Sequence, residues 1–212
     1  MYLAHDIRTP LTTIIGYLSL LNEAPDMPEE QKEKYIGIAL DKSERLETLI
    51  NELFEITRYH TNTVQVKKQP VDLYALLSQV IDDFYPTLSE KGNTTKISMQ
   101  DGLTVTGDPE KLARVFNNLL RNAASYCYPN TEINIIASKK GNHAVVIFKN
   151  HGPTIPEEQL NIIFDKFSRL DEARTSDTGG AGLGLSIAKE IVNLHGGEIT
   201  AQSQAEEITF TV

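Results

Sequence analysis

The chain has 212 residues, 40% hydrophobic and 23% charged, a globular balance that excludes a disordered or collagen-like polymer. Lys and Arg number 20 against 29 Asp and Glu, and the formal net charge of −9 argues against a nucleic-acid partner, because phosphate backbones demand basic surface. No apolar run reaches the roughly 18 to 20 residues that cross a bilayer, the N-terminus is no signal peptide, and the single Cys127 forms no intrachain disulfide or thiolate zinc site. A soluble chain in a reducing cytoplasm is expected, with Cys127 a passive helix residue.

Leu3, Ile7, Leu11, Ile14, Leu18 and Leu21 recur at steps of three and four, which predicts an amphipathic helix. Pro25 and Pro28 stop it, and the same period resumes at Leu46, Leu49, Leu53 and Ile56. Residues 1–61 therefore read as a helical hairpin. Two helices cannot bury both stripes alone, and pairing with a second copy would make a four-helix bundle. Beyond this point short β-rich pieces alternate with helices. Strands are predicted in VQVKK, ISMQ, LTVTG, INIIAS and AVVIFKN, with a last pair after Gly196 and Gly197. Helices are predicted over 71–88, 108–127 and 183–195. The fold class is α+β, a hairpin followed by an α/β sandwich of helices on a mixed sheet, with the boundary near residue 62.

Three segments can carry chemistry. Asp108 and Pro109 specify a helix start, and Leu112, Val115, Phe116, Leu119 and Ala123 can face a core. Asn118 and Asn122 share one face of that helix, with Ser125 and Tyr126 a turn further. The paired amides suit a magnesium and nucleotide site, and equally the solvated face of an ordinary helix. Gly179, Gly180, Gly182 and Gly184 precede the last helix, where backbone N–H groups and the helix dipole favour phosphate, although neither the P-loop nor the dinucleotide template fits. His5 points away from the apolar stripe, next to Asp6 and one turn before Thr9, with Pro10 interrupting the helix ladder. The other histidines show no metal-ligand spacing.

Taken together these segments resemble the catalytic core of a sensor histidine kinase of two-component signalling. His5-Asp6-Ile7-Arg8-Thr9-Pro10-Leu11 is similar to the phosphoacceptor H box, and Asn118-Leu119-Leu120-Arg121-Asn122-Ala123 to the N box. Asn150-His151-Gly152 stands where the family has its adenine-binding Asp-x-Gly, Phe164-Asp165-Lys166-Phe167 resembles the F box, and Gly180-Ala181-Gly182-Leu183-Gly184-Leu185 resembles the second glycine box. The stretches AHDIRTPLTTIIGYLSLLNEAPDMP, LFEITRY and GDPEKLARVFNN further resemble VanS-type kinases, which control vancomycin resistance.

The resemblance implies a dimerisation and histidine phosphotransfer domain over 1–61 and a Bergerat (GHKL-type) ATP-binding domain over 62–212. It implies ATP with Mg²⁺, a homodimer, and a response regulator receiver domain as partner. His5 would be phosphorylated with Asp6 assisting, and Thr9 would orient the water that reverses the regulator's phosphorylation. Asn118 and Asn122 would handle phosphates and Mg²⁺, with Asn122 the metal ligand. Tyr126, Asn150 and Gly152 would line the nucleotide, Arg169 would approach the γ-phosphate, and Gly180, Gly182, Leu183 and Gly184 would wrap the phosphates. Three positions depart from the family pattern: Asn150 replaces an aspartate, Ser125 a lysine, and Thr154 a glycine. Only four residues precede His5, so the chain is expected to be the cytoplasmic portion of a longer bacterial cell-membrane protein, joined to the membrane through parts outside it. A nucleotide-binding degenerate scaffold and a GHKL-type ATPase or serine kinase are the rival readings.

Overall fold

Helix α1 (Leu3–Glu23) ends just before the proline pair, and α2 (Glu29–His60) begins just after it. In the computed structural model, which describes residues 3–60, 65–168 and 182–212, the chain divides into two units, Met1–Thr57 and Arg58–Val212. Within the first unit α1 runs straight through Pro10, whose ring nitrogen has no hydrogen for the Asp6 carbonyl. At the preceding residue the Thr9 hydroxyl donates to the His5 carbonyl at 3.0 Å. Tyr17 and Tyr35 pack their rings 5.0 Å apart between the two helices, and Ala39, Leu49 and Ile56 are buried. Leu11, Ile15 and Leu18 on α1 stay exposed, as do Ile36, Leu40, Ile50 and Phe54 on α2. The hairpin covers only part of its apolar surface by itself.

The second unit opens with β1 (Gln69–Asp72), α3 (Leu73–Glu90), β2 (Thr94–Met99) and β3 (Thr104–Gly107). Helix α4 (Pro109–Tyr126) leads into the long strands β4 (Glu132–Lys140) and β5 (His143–His151). A short α5 (Glu157–Leu160) and a 3-10 turn (Ile162–Phe164), neither foreseen from sequence, precede α6 (Gly184–Leu194), β6 (Thr200–Gln204) and β7 (Glu207–Thr211). β1 and β3 form a two-stranded antiparallel sheet, and the main sheet runs β2-β4-β5-β7-β6 with β2 and β4 parallel and the remaining pairs antiparallel. The mixed sheet expected from the alternating pattern is thus present.

The strand expected in VQVKK is not formed: residues 65–68 are irregular, and β1 starts at Gln69. Its partner runs out there, because Gln69 pairs with Gly107 and the next residue, Asp108, is the N-cap of α4. The Asp108 carboxylate instead accepts the Lys67 N–H at 3.0 Å and the Lys111 N–H at 3.2 Å. Asp72 caps α3 in the same way, accepting from the N–H groups of Tyr74 and Ala75. The core lies between the helices and one face of the main sheet. Leu77 and Val80 of α3, Val115, Phe116 and Leu119 of α4, and Ile187 and Ile191 of α6 cover Ile133, Ile135, Phe148 and Phe210, all buried.

Candidate functional site

Two asparagines stand out in this core. Asn118 on α4 is 3% exposed and Asn150 near the end of β5 is 2% exposed. Among the described residues, neither amide atom of either side chain has a hydrogen-bond partner. A buried amide atom without a partner costs about 1 to 3 kcal/mol, so these two side chains, each with both of its amide atoms unpartnered, are candidates for contact with a polar ligand. The burial also removes the solvated-face reading for Asn118.

Two glycines make close approaches near these side chains. Gly184 opens α6 beside Asn118: a Cβ on it would lie 3.4 Å from Asn118 Oδ1. Gly152 lies against the main chain of Tyr126, and any side chain at 152 would run into the Tyr126 carbonyl oxygen. Asn122, Tyr126, Gly182 and Gly184 are half-buried, and Leu183 is fully buried. Gly182 has φ of 72° and its carbonyl accepts the Phe167 N–H at 3.1 Å, so an L-residue there would be strained, whereas Gly184 has no such requirement. Phe164 meets Phe210 edge-on at 6.3 Å, with the Lys189 ammonium 5.7 Å from its ring centre. Arg169 and Gly180 lie outside the described residues.

The three departures from the family pattern each have a local setting. Asn150 keeps a buried amide where a carboxylate is usual. The Thr154 hydroxyl accepts the Glu206 N–H at 3.0 Å, tying the segment after Gly152 to the β6–β7 turn. Beside Ser125 the Lys91 ammonium donates to the carbonyls of Ala124 at 2.7 Å and Ser125 at 3.3 Å, placing a cation at the C-terminus of α4. Sequence reading missed Lys91 and Glu206, which reach their partners from 33 and 52 positions away. Cys127 is the C-cap residue of α4, and burial pushes its thiol up despite the nearby Lys91 charge, which makes it a poor nucleophile.

In the first unit His5 is exposed, with 78% of its side-chain surface accessible, and its Nδ1 lies 3.5 Å from Asp6 Oδ1. That is ion-pair distance but longer than a hydrogen bond. Asp6 thus sits on the Nδ1 side of the ring and leaves Nε2 open to solvent. Among the described residues no three His, Cys, Asp or Glu side chains cluster to hold a metal ion, and no helix is long and apolar enough to cross a membrane.

Residues 107–212 match the family described as Histidine kinase-, DNA gyrase B-, and HSP90-like ATPase, and residues 1–62 match the His Kinase A (phospho-acceptor) domain. The chain belongs to the sensor histidine kinase family. It is 58% identical to Sensor protein VanS of Enterococcus faecium, over all of this chain and 55% of that protein. To Sensor protein VanSC of Enterococcus gallinarum it is 44% identical, over all of this chain and 58% of that one. The VanS-type resemblance therefore extends across the whole chain, which spans a little over half the length of these two relatives. Among solved structures, histidine kinase ThkA in complex with the response regulator TrrA is similar with a TM-score of 0.77 at 28% identity, over 98% of this chain and 58% of that chain.

Proposed function

We propose that the chain is the ATP-dependent protein-histidine kinase core of a sensor, in which residues 1–61 serve dimerisation and phosphotransfer and 62–212 bind ATP. The observation that carries this is the pair of buried, unpartnered amides at Asn118 and Asn150. In this reading Asn150 meets the purine, and Gly152, with no side chain, lets the segment after β5 pack against the Tyr126 main chain beside it. Asn118 and Asn122 turn their amides to the phosphates, and the N–H groups around Gly182, Leu183 and Gly184 stand at the positive end of α6; Gly180 and Arg169 are assigned to the phosphates by the family resemblance alone. Asn122, half-buried on α4, would hold a magnesium ion through its amide oxygen, and the ion would supply neutralisation of the phosphate charge.

The reacting group is the His5 imidazole. One ring nitrogen forms the N–P bond as the bond from the γ-phosphorus to the bridging oxygen breaks, and ADP leaves. Asp6, 3.5 Å from Nδ1, needs only to close by a few tenths of an ångström to accept the hydrogen of that nitrogen, which fixes the tautomer and stabilises the positive charge that develops. The phosphoryl group then passes to an aspartate on a response regulator receiver domain, a step supported by the ThkA–TrrA complex. Thr9 and Asp6 hold the water that reverses that phosphorylation. The exposed Leu11, Ile15, Leu18, Ile36 and Leu40 support pairing with a second copy of the hairpin. The VanS-type resemblance supports a bacterial cell-membrane sensor of glycopeptide antibiotic resistance, of which this chain is the cytoplasmic portion.

The test is incubation of the parent and His5→Gln with labelled ATP and Mg²⁺. Acid-labile, base-stable phosphate on His5, absent from the variant, is expected. Acid-stable phosphate would establish a serine kinase, and bound ATP without phosphate transfer a degenerate scaffold. Because nucleophile and nucleotide sites belong to different units, His5→Gln retains ATP binding.

A further inference from the structure

A carboxylate at the purine contact only accepts hydrogen bonds, whereas a primary amide carries an acceptor and two donors on one planar group. Which way that amide faces is normally fixed by its neighbours. At Asn150 nothing among the described residues fixes it: the side chain is 2% exposed and both Oδ1 and Nδ2 lack a partner. The backbone is nonetheless held, since Asn150 pairs with Ile208 in the β5–β7 ladder and the adjoining Gly152 N–H donates to the Glu206 carbonyl at 2.9 Å. The site thus offers a positioned amide with a free choice between two orientations.

The two orientations match two purines. An adenine edge presents the 6-amino hydrogen to an acceptor and N1 to a donor. A 6-oxopurine presents the reverse, with O6 taking a donor and the N1 hydrogen needing an acceptor. Rotating the Asn150 amide by half a turn about its last side-chain bond exchanges Oδ1 for Nδ2, so one residue can satisfy both edges in the same place. An aspartate has a donor for neither edge, since its second oxygen would face the N1 lone pair of adenine or the O6 lone pairs of a 6-oxopurine.

We propose that Asn150 makes this site tolerant of 6-oxopurine nucleotides, so that inosine-type nucleotides bind and serve beside adenosine ones. The inference rests on the reading of Asn150 as the base contact.

The test is calorimetric titration of the full chain with ADP and with IDP in the presence of Mg²⁺. The parent is expected to bind the two within about threefold of each other, since each edge finds one donor and one acceptor. An IDP affinity about tenfold or more below that of ADP would overturn the proposal. Asn150→Ala separates the two levels of the argument. If it binds both nucleotides as tightly as the parent, the base lies elsewhere and the site reading itself fails. If it weakens both while the parent discriminates tenfold, the base site stands and only the tolerance is wrong.

Discussion

Glu206 accepts the Tyr128 hydroxyl at 3.0 Å from a turn in which it and Ala205 both hold left-handed backbone, with φ of 63° and 51°. The same residue receives the Gly152 N–H on its carbonyl and donates its own N–H to Thr154. The Tyr128 N–H in turn donates to the His151 carbonyl at 2.8 Å. Non-glycine residues at positive φ persist where surrounding bonds over-determine them, and here those bonds hold the segment that follows Asn150.

The hydrogen bond to Glu206, with smaller contributions from burial and from the carboxylate charge, raises the Tyr128 phenol above its ordinary value of 10.0. A raised value means the bond is intact below pH 10 and is lost as the pH rises through the folded-state value. Ultraviolet titration of tyrosinate should show the late-ionising phenol disappear in Tyr128→Phe and move earlier in Glu206→Ala. Glu206→Ala should also weaken ADP binding, with Glu206→Gln in between because its amide oxygen still accepts. Identical titration curves for Glu206→Ala and the parent would dismiss the contact.

Asp108 gives a second pH dependence of opposite sense. Burial alone would raise its carboxyl, but the N–H groups of Lys67 and Lys111, together with the Lys111 charge, outweigh this and hold it below the ordinary 3.8. A depressed value means the stabilisation is present above pH 3.8 and is lost as the pH falls through the folded-state value. Asp108→Asn should therefore destabilise the protein at neutral pH by about 1 kcal/mol, the typical scale of a helix N-cap. The gap to the parent should close in acid. Denaturant melts across pH 3 to 7 would show it, and a gap that stays constant down to the lowest pH would assign the loss to packing.

The periodic parts of the fold were legible in the residues. The two apolar stripes and the proline pair give α1 and α2, and Asp108 with Pro109 gives the start of α4 within a residue. VQVKK misled because alternation reports a half-buried strand only where a partner exists, and β3 ends opposite Gln69. The residues that stabilise the site from a distance were illegible for a related reason. Lys91 acts on the far end of α4 and Glu206 on the segment after β5, and no local pattern announces a contact that only the sheet topology creates. The amide pair on α4 was ambiguous until Gly184 was seen to cover Asn118.

Thr9 donates its hydroxyl hydrogen to the His5 carbonyl, so towards solvent it offers lone pairs, which can receive a hydrogen from a water. In the proposed mechanism the group takes no part in attack on ATP. Thr9→Ala should keep autophosphorylation within about twofold while slowing dephosphorylation of the regulator by about fivefold or more, since it loses positioning of the water and not the nucleophile. Single-turnover measurements of both reactions decide the matter, and a parallel fall in the two would make Thr9 a packing residue.

His195 joins the ends of the two helices that carry the site. Its Nε2 accepts the Asp108 N–H at 3.0 Å, and its Nδ1 faces the Ile191 carbonyl at 2.8 Å, an arrangement that requires the neutral ring with its hydrogen on Nδ1. The link spans the C-terminus of α6 and the N-cap of α4, and a Cβ on Gly107 would lie 3.2 Å from His195 Cδ2, so the ring packs directly on the backbone leading into α4. His195→Ala removes both bonds and the ring, leaving the Asp108 N–H without its partner, and should cost about 2 to 3 kcal/mol in urea unfolding. His195→Asn can recover the bond to Ile191 but is too short for Asp108, so it should fall between the two. The nucleotide affinity of both variants should drop further than that of a surface control such as Lys140→Ala, because α4 and α6 carry Asn118 and Gly184 on the same packed pair. Full stability in His195→Ala, or unchanged ADP binding despite the lost stability, would show that this end of the helix pair does not govern the site.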